Sequence, residues 1–410
     1  MNRRIALIAA AGLVVAGLVA ASATATPTRQ AREQSTRLLV GINDEASTLY
    51  GNPATAFAAL KSLRTQVLRV NLYWGGNKWA VANKKPADAT DPGDPAYRWA
   101  IYDRLVRYAT DNKIKVVFSF LFTPGWANGN KARNVAPTNA KDLEHFAYAA
   151  AERYSGLWIP PAWQQDASLG IGGSSPLPKV TMWTAWNEPN NPLWLTPQYK
   201  RVGKTWRVQS AYEYARICNA IDTGVHAVLI SPERGKVPGE QVACGVTGPK
   251  GNDAPRSSRP SVDPLTFLAA AHKFGMKKFD VYAHHPYAGA GDQAPSFLPK
   301  GKDKRRIQMG NLNLLMAALT KLYGPKHLWI TEYGYQTNPP DKTIMGTSWT
   351  KQALYMKQAY ALARKNPRID MMLWFLVRDQ PQIGGWQSGL ETVTGKKKPA
   401  WTAFRNLPRA

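Results

Sequence analysis

Thr181-Met182-Trp183-Thr184-Ala185-Trp186-Asn187-Glu188-Pro189-Asn190 is the stretch on which the reading of this chain turns. An apolar run of β-branched and aromatic residues, as expected of a strand covered on both faces, stops on a carboxylate, and Pro189 then turns the chain. Leu328-Trp329-Ile330-Thr331-Glu332-Tyr333-Gly334-Tyr335 repeats the arrangement further on. A buried strand that ends on a glutamate points that carboxylate at whatever lies beyond the strand end. Two such strands present two carboxylates to one place if the fold brings their ends together.

Outward from these segments, short apolar runs alternate with stretches of helical spacing. Residues 38–42, 66–73, 115–121 and 180–186 read as strands one to four, and 227–230, 279–285, 327–331 and 370–376 as strands five to eight. Helical stretches follow them at 54–63, 97–112, 141–154, 209–221, 264–274, 312–323, 349–365 and 400–406. Eight β-then-α units predict an α/β fold, a (β/α)8 TIM barrel, as a single domain over 38–410. The Gly- and Pro-rich segments 158–178, 231–262 and 286–310 read as long strand-helix loops. The C-terminal strand ends of such a barrel form its functional face. Glu188 on strand four and Glu332 on strand seven would therefore oppose each other across the mouth.

Composition agrees with a large folded core. The chain has 410 residues, 44% hydrophobic and only 20% charged, with 15 Trp, which excludes a disordered chain. Its net charge of +26 favours encounters with polyanions: nucleic acid, uronic-acid polymers, teichoic acids or anionic lipid. The basic residues are spread along the chain, with clusters at 300–306 and 396–398. Both a generally basic solvated surface and an acidic partner fit that spread. At the N-terminus Arg3 and Arg4 precede an apolar run, 5–21, and Ala23-Thr24-Ala25 fits a small-x-small cleavage site. Residues 1–25 read as a secretory signal peptide, with an uncleaved anchor as the alternative, and 26–37 as a flexible segment. The expectation is a secreted, extracellular monomer with no stable membrane insertion after signal removal, associated with a cell wall through its basic surface. Cys218 and Cys244 are the two cysteines. Either they form one bridge or they are two buried thiols, and with no Cys or His cluster nearby they make a poor zinc site.

Two facing carboxylates are the minimal equipment for glycoside hydrolysis. The retaining form needs them about 5–5.5 Å apart, one as nucleophile and one as acid/base. The nucleophile must be kept ionised by hydrogen bonds and its partner must hold a proton.

Trp186-Asn187-Glu188-Pro189, together with Ile330-Thr331-Glu332-Tyr333-Gly334, resembles the signatures of glycoside hydrolase clan A. Within the clan the sequence is most similar to families 39 and 5, over residues 38–407. The resemblance implies retaining chemistry on a (β/α)8 barrel, with catalytic Glu332 as nucleophile and Glu188 as acid/base. It implies substrate-binding roles for several other side chains. Asn187 would bond the sugar 2-hydroxyl, and Arg69 would hold the nucleophile ionised. His285 and Tyr287 match a His-x-Tyr element whose tyrosine bonds the nucleophile, and Trp374 would lie under the sugar ring. No metal and no organic cofactor is implied. The chain departs from the pattern in two places: His284 competes with His285 for one role, and Phe-Leu-Val-Arg-Asp follows Trp374. Successive strand residues point to opposite faces, so one histidine faces inward and the other outward.

Each assignment has a plainer counterpart. Arg69 lies in an apolar strand and needs a carboxylate partner, for which Asp44 and Glu45 also qualify. Trp374 would serve equally as core. Trp74 and Trp126, near strand ends, could stack on a sugar or anchor loops, and Glu391 reads as a surface residue. The expected function is that of an exported retaining glycosidase. It would cleave O-glycosidic bonds of an extracellular polysaccharide, oligosaccharide or glycoconjugate by double displacement, with long loops and many aromatics favouring endo action. An acidic polysaccharide is among the candidate substrates, and no nucleic acid partner is expected. The rivals are a non-catalytic carbohydrate- or cell-wall-binding protein on the same barrel, and a polyanion-binding surface protein.

Overall fold

The computed structural model describes residues 38–165, 175–231 and 235–410. The expected signal peptide and the segment 26–37 lie outside the described residues. Eight parallel strands close into a barrel: β1 Leu39–Asn43, β2 Val67–Tyr73, β3 Lys115–Leu121, β4 Met182–Ala185, β5 Gln241–Thr247, β6 Val281–His284, β7 Leu328–Tyr333 and β8 Ile369–Phe375. Each strand pairs with its sequence neighbours and β8 closes on β1. The helices α1 Pro53–Ser62, α2 Ala100–Asp111, α3 Ala140–Arg153, α4 Gln209–Val225, α5 Pro264–Lys273, α6 Leu312–Tyr323, α7 Trp349–Arg364 and α8 Pro399–Arg405 follow the strands in order. Several helices start where side chains cap them. Asn52, Asn139, Asp263 and Ser348 each accept a backbone N–H of the first turn, and Pro53 and Pro264 open their helices at little cost. Among the described residues no helix is long and apolar enough to cross a membrane.

Two apolar layers follow from strand alternation. Val67, Val117, Met182, Ala243, Val281, Ala283, Trp329, Met371 and Leu373 fill the barrel interior, with Leu39 packed against them. The intervening strand residues pack outward against the helices. Gly41 is a glycine because a Cβ there would sit 2.2 Å from the Val67 carbonyl and 2.5 Å from Leu373. Above the apolar layer, towards the C-terminal strand ends, the interior turns polar: Arg69, Ser119, Thr184, Thr331 and Glu332 are all buried.

One strand differs from the sequence reading. Residues 227–230 are not the fifth barrel strand. Leu229–Ser231 instead pairs antiparallel with Gly235–Lys236 in a small outer hairpin. The fifth position belongs to Gln241–Thr247, which pairs with β4 and β6 inside the segment read as the 231–262 loop. Its small residues, Ala243, Cys244 and Gly245, disguised it as a loop. The close approach of Tyr282, 2.3 Å from any Cβ on Gly245, explains why that position stays bare. Cys244 is thus a strand residue, and it forms a disulfide with Cys218 of α4.

Candidate active site

Arg69 organises the polar layer. It is 1% exposed, and its guanidinium donates from Nη1 to Glu332 Oε1 (2.6 Å), from Nη2 to Asn187 Oδ1 (2.9 Å) and from Nε to Ser119 Oγ (2.7 Å). The Ser119 hydroxyl in turn bonds that of Thr184. The partner of Arg69 is therefore Glu332, not Asp44 or Glu45. Glu45 instead accepts from Asn71 N–H (2.7 Å) and the Tyr73 hydroxyl (2.9 Å), while Asp44 binds Ser47 and Val377 N–H groups.

Glu332 reaches the mouth because β7 carries an extra residue. Between Ile330 and Tyr333 the pairing with β8 slips, so three steps on β7 oppose two on β8. A bulge of this kind re-aims a side chain, and here it lets Thr331 and Glu332 both face the site. The second oxygen of Glu332 accepts from the Tyr287 hydroxyl (3.1 Å). Burial by itself would raise the Glu332 carboxyl. The charges of His285 and Arg69, with hydrogen bonds from Arg69 and Tyr287, outweigh it and hold the group below the usual carboxylate range. Burial first, and the carboxylates Glu332 and Glu188 next, push the Tyr287 hydroxyl well above its ordinary value, so it stays a neutral donor.

Glu188 sits in a strained turn. Trp186 and Glu188 both have positive φ, 69° and 34°. Neighbouring strands hold them there: Trp186 N–H donates to Phe120 O (2.9 Å) and Glu188 N–H to Val246 O (2.8 Å). Such conformations concentrate at functional sites, and Phe122, Val246 and Leu376, at the ends of β3, β5 and β8, share the left-handed φ. The Glu188 carboxylate accepts from Asn191 Nδ2 (3.3 Å) and lies 3.0 Å from His285 Nδ1.

His285, fully buried, lies between the carboxylates. Its Nδ1 is 3.6 Å from Glu332 Oε2, and its Nε2 is 3.0 Å from Thr331 Oγ1. Of the adjacent pair, His285 faces the site. His284 points outward between Thr247 Oγ1 (2.8 Å) and Ile307 O (3.0 Å). One oxygen each of Glu188 and Glu332 and a ring nitrogen of His285 lie within 4.8 Å of one another. That trio has the composition of a metal site, but the Arg69 guanidinium already places a fixed positive charge against Glu332. Among the described residues the other such cluster, Asp222, His226 and Asp280, flanks the opposite end of the barrel.

Two expected aromatics lie elsewhere. Trp374 is fully buried, donates its indole N–H to Ser388 O (2.9 Å) and packs with Tyr333 in the outer layer. Alternation sets this: Met371 and Leu373 point inward, so 374 points out and Phe375 in. Trp126 donates to Ala82 O (2.8 Å) and packs edge-on against buried Trp74, anchoring a loop. Glu391, read as surface, is buried and pairs with Arg378 (2.8 Å). The aromatic wall beside Glu332 is made by Tyr287, Phe375 and Trp386, with Trp386 5.1 Å from each of the other two ring centres. Sequence reading passed over Phe375 and Trp386. The inward register of β8 and an aromatic in Gly384-Gly385-Trp386 were the available signals. Tyr287 and Trp386 border a cavity of about 520 Å³ that Glu188 also lines.

Fold and site together define a class: a (β/α)8 barrel with two carboxylates facing each other at its C-terminal mouth. Solved structures with this fold include a family 39 glycoside hydrolase from the gut symbiont Bacteroides cellulosilyticus WH2, at 17% identity and a TM-score of 0.58, covering 91% of this chain and 64% of that one. A glucosidase from Croceicoccus marinus aligns at 14% identity and a TM-score of 0.61, over 90% of this chain and 67% of that one. A fungal β-1,4-galactanase aligns at 11% identity and a TM-score of 0.50, over 90% and 99%. The chain thus spans less than two thirds of the Bacteroides protein's length. No protein-family model matches the sequence, and no curated protein does.

Proposed function

We propose that the protein is a retaining glycoside hydrolase acting by double displacement. The observation that carries the reading is the pairing of two carboxylates, oxygens within 4.8 Å, in unlike settings. Inverting enzymes leave a gap of about 6.5–9.5 Å for water, whereas retaining ones bring the groups to about 5–5.5 Å. Glu332 is wrapped by Arg69 and Tyr287 and held ionised, as a nucleophile must be. Glu188 borders the cavity, where a leaving oxygen would lie.

In the first step the Glu332 carboxylate attacks the anomeric carbon while Glu188 delivers its proton to the departing oxygen. A covalent glycosyl ester on Glu332 results. In the second step Glu188, now ionised, takes a proton from water, which attacks the same carbon and releases Glu332. Arg69 fixes the Asn187 amide oxygen, which leaves its N–H donors for a sugar hydroxyl. Tyr287, Phe375 and Trp386 offer a face for the ring.

The neighbours are named as a glycoside hydrolase, a glucosidase and a galactanase, so the shared fold supports the class of reaction and not a particular sugar. Export through residues 1–25 belongs to the same proposal, and the Cys218–Cys244 bridge suits an oxidising compartment. The test is to follow the anomeric configuration of the first product by proton NMR, with Glu332→Gln in parallel. Retention, with turnover lost in the variant and its fold intact, is expected. Inversion, or near-normal turnover in Glu332→Gln, would sink the proposal.

A further inference from the structure

The cleft that Glu188 borders has a basic wall. Lys250 and Arg259, on the loop after β5, and Arg306, on the loop after β6, border the same cavity as Glu188, which among the described residues is the single carboxylate lining it. Among the described residues these cations are only partly neutralised, Asp303 and Glu188 both acting on Lys250 as counter-charges. Among the described residues Lys250 and Arg259 form no ion pair, and Arg306 pairs with Asp303 from Nε (2.8 Å). The adjacent Arg305 behaves differently: it turns away to Asp253 and Asp263. Burial first, and the charges of Arg306 and Arg259, lower the Lys250 ammonium, while Asp303 and Glu188 oppose the shift.

Their position relative to the two glutamates follows from two glycines. A Cβ on Gly248 would stand 2.9 Å from Glu188 Cδ, so that backbone abuts the carboxylate, and Lys250 follows two residues later. A Cβ on Gly289 would meet Arg306 Nη1 at 2.5 Å, and Tyr287, bonded to Glu332, precedes it by two residues. The cations therefore sit beside the reacting pair, not at a distant rim. Three cations against one lining carboxylate leave the cleft with an excess of positive charge, which a bound anion relieves. The planar fork of an arginine matches the two-oxygen face of a carboxylate or sulfate.

We infer that the cleft takes a sugar carrying an anionic substituent, a carboxylate or a sulfate, held by Arg306 and Lys250 beside Glu188; that the ligand is a carbohydrate rests on the glycosidase reading. The net charge of +26 would attract any polyanion, so the experiment separates the cleft from the general surface. Binding is measured by calorimetry on Glu332→Gln at two salt concentrations. The panel holds neutral oligosaccharides, uronic-acid oligosaccharides, the same uronides as methyl esters, and sulfated neutral oligosaccharides. A Lys250→Gln/Arg306→Gln pair is added to that protein, and as a control Lys61→Gln/Lys321→Gln on exposed helix faces, with thermal unfolding to verify folding.

The expected result is that acidic glycans bind more tightly than neutral or esterified ones. The cleft pair should weaken them at least about tenfold and the control pair hardly at all. Preference for uronides over sulfated sugars, or the reverse, identifies which anion is recognised. Equal binding of neutral and acidic glycans, or equal losses in the two pairs, overturns the inference. Acidic glycans that bind but are not cleaved by the unmodified protein would overturn the glycosidase reading and leave this one standing. Glu332-dependent cleavage of neutral glycans alone would do the opposite.

Discussion

Three of the five N–H donors of Arg69 are committed to Ser119, Glu332 and Asn187, so one side chain sets the charge of Glu332 and the orientation of the neighbouring amide. Removing it would break the buried ion pair with Glu332, a change that typically costs about 3–5 kcal/mol. The pH consequence has a definite sign. A carboxyl held below its ordinary range contributes stability above the unfolded pKa, and that contribution is lost as pH falls through the folded value. In Arg69→Met the upward pull of burial acts with less opposition. The acidic limb of kcat/KM against pH should then move to higher pH, and stability at neutral pH should drop. A limb that stays in place would deny Arg69 this role. Glu188→Ala should slow substrates with poor leaving groups most, and added azide should restore turnover on activated substrates by attacking the glycosyl ester in place of water, since an anionic nucleophile needs no base. Uniform loss on all leaving groups without rescue would reassign Glu188.

At the scale of elements, the site depends on how strands end. The left-handed residues after β4 are tied by backbone hydrogen bonds to the β3 and β5 ends, and the bulge in β7 brings Glu332 inward. The run Trp-Ile-Thr-Glu-Tyr announces a strand but does not show where its ladder slips, because the slip is a property of the pairing with β8. The fifth strand was obscured for a related reason: a short strand of small residues gains its stability from partners on both sides, not from its own β propensity. Its tie to α4 is covalent. The Cys218–Cys244 bridge spans 26 residues, for which loop closure alone corresponds to about 3–4 kcal/mol. Cys218→Ser with Cys244→Ser should lower the urea midpoint accordingly while leaving KM near its original value, since neither sulfur borders the cleft. An unchanged midpoint would show that packing of α4 on the barrel suffices without the bond.

Across the whole molecule the two ends of the barrel differ in what they do. The C-terminal mouth holds the carboxylates, the aromatic wall and the cations, whereas a cavity of about 790 Å³ at the strand starts is ringed by Lys115, Asp280, His327 and Asp370. Nearby Glu240 is buried, accepts from Trp183 Nε1 (2.6 Å) through one oxygen and leaves the other without a partner. Burial pushes its carboxyl up to about 7. Here the sign is reversed: the folded state keeps a proton the unfolded chain has lost, so stability falls as pH climbs from about 4.5 to 7. Glu240→Gln should therefore gain on the original protein between pH 5 and pH 8 in urea titrations, with kcat unchanged. A constant difference across that range would contradict it. The alternation of periods determined the barrel, because a strand or helix must match its burial pattern residue by residue. Local patterns likewise pointed to Glu188, Glu332 and Arg69, since a carboxylate or an arginine in or at the end of an apolar run is costly without a partner, whereas Asn187, His285 and Tyr287 were reached only through the resemblance to clan A. Register was decided only in the tertiary structure. It turned Trp374 outward and Phe375 inward, chose His285 over His284, moved the fifth strand to Gln241–Thr247, and gathered Lys250 and Arg306 from separate loops onto one wall, because pairing and loop packing join residues that sequence distance keeps apart.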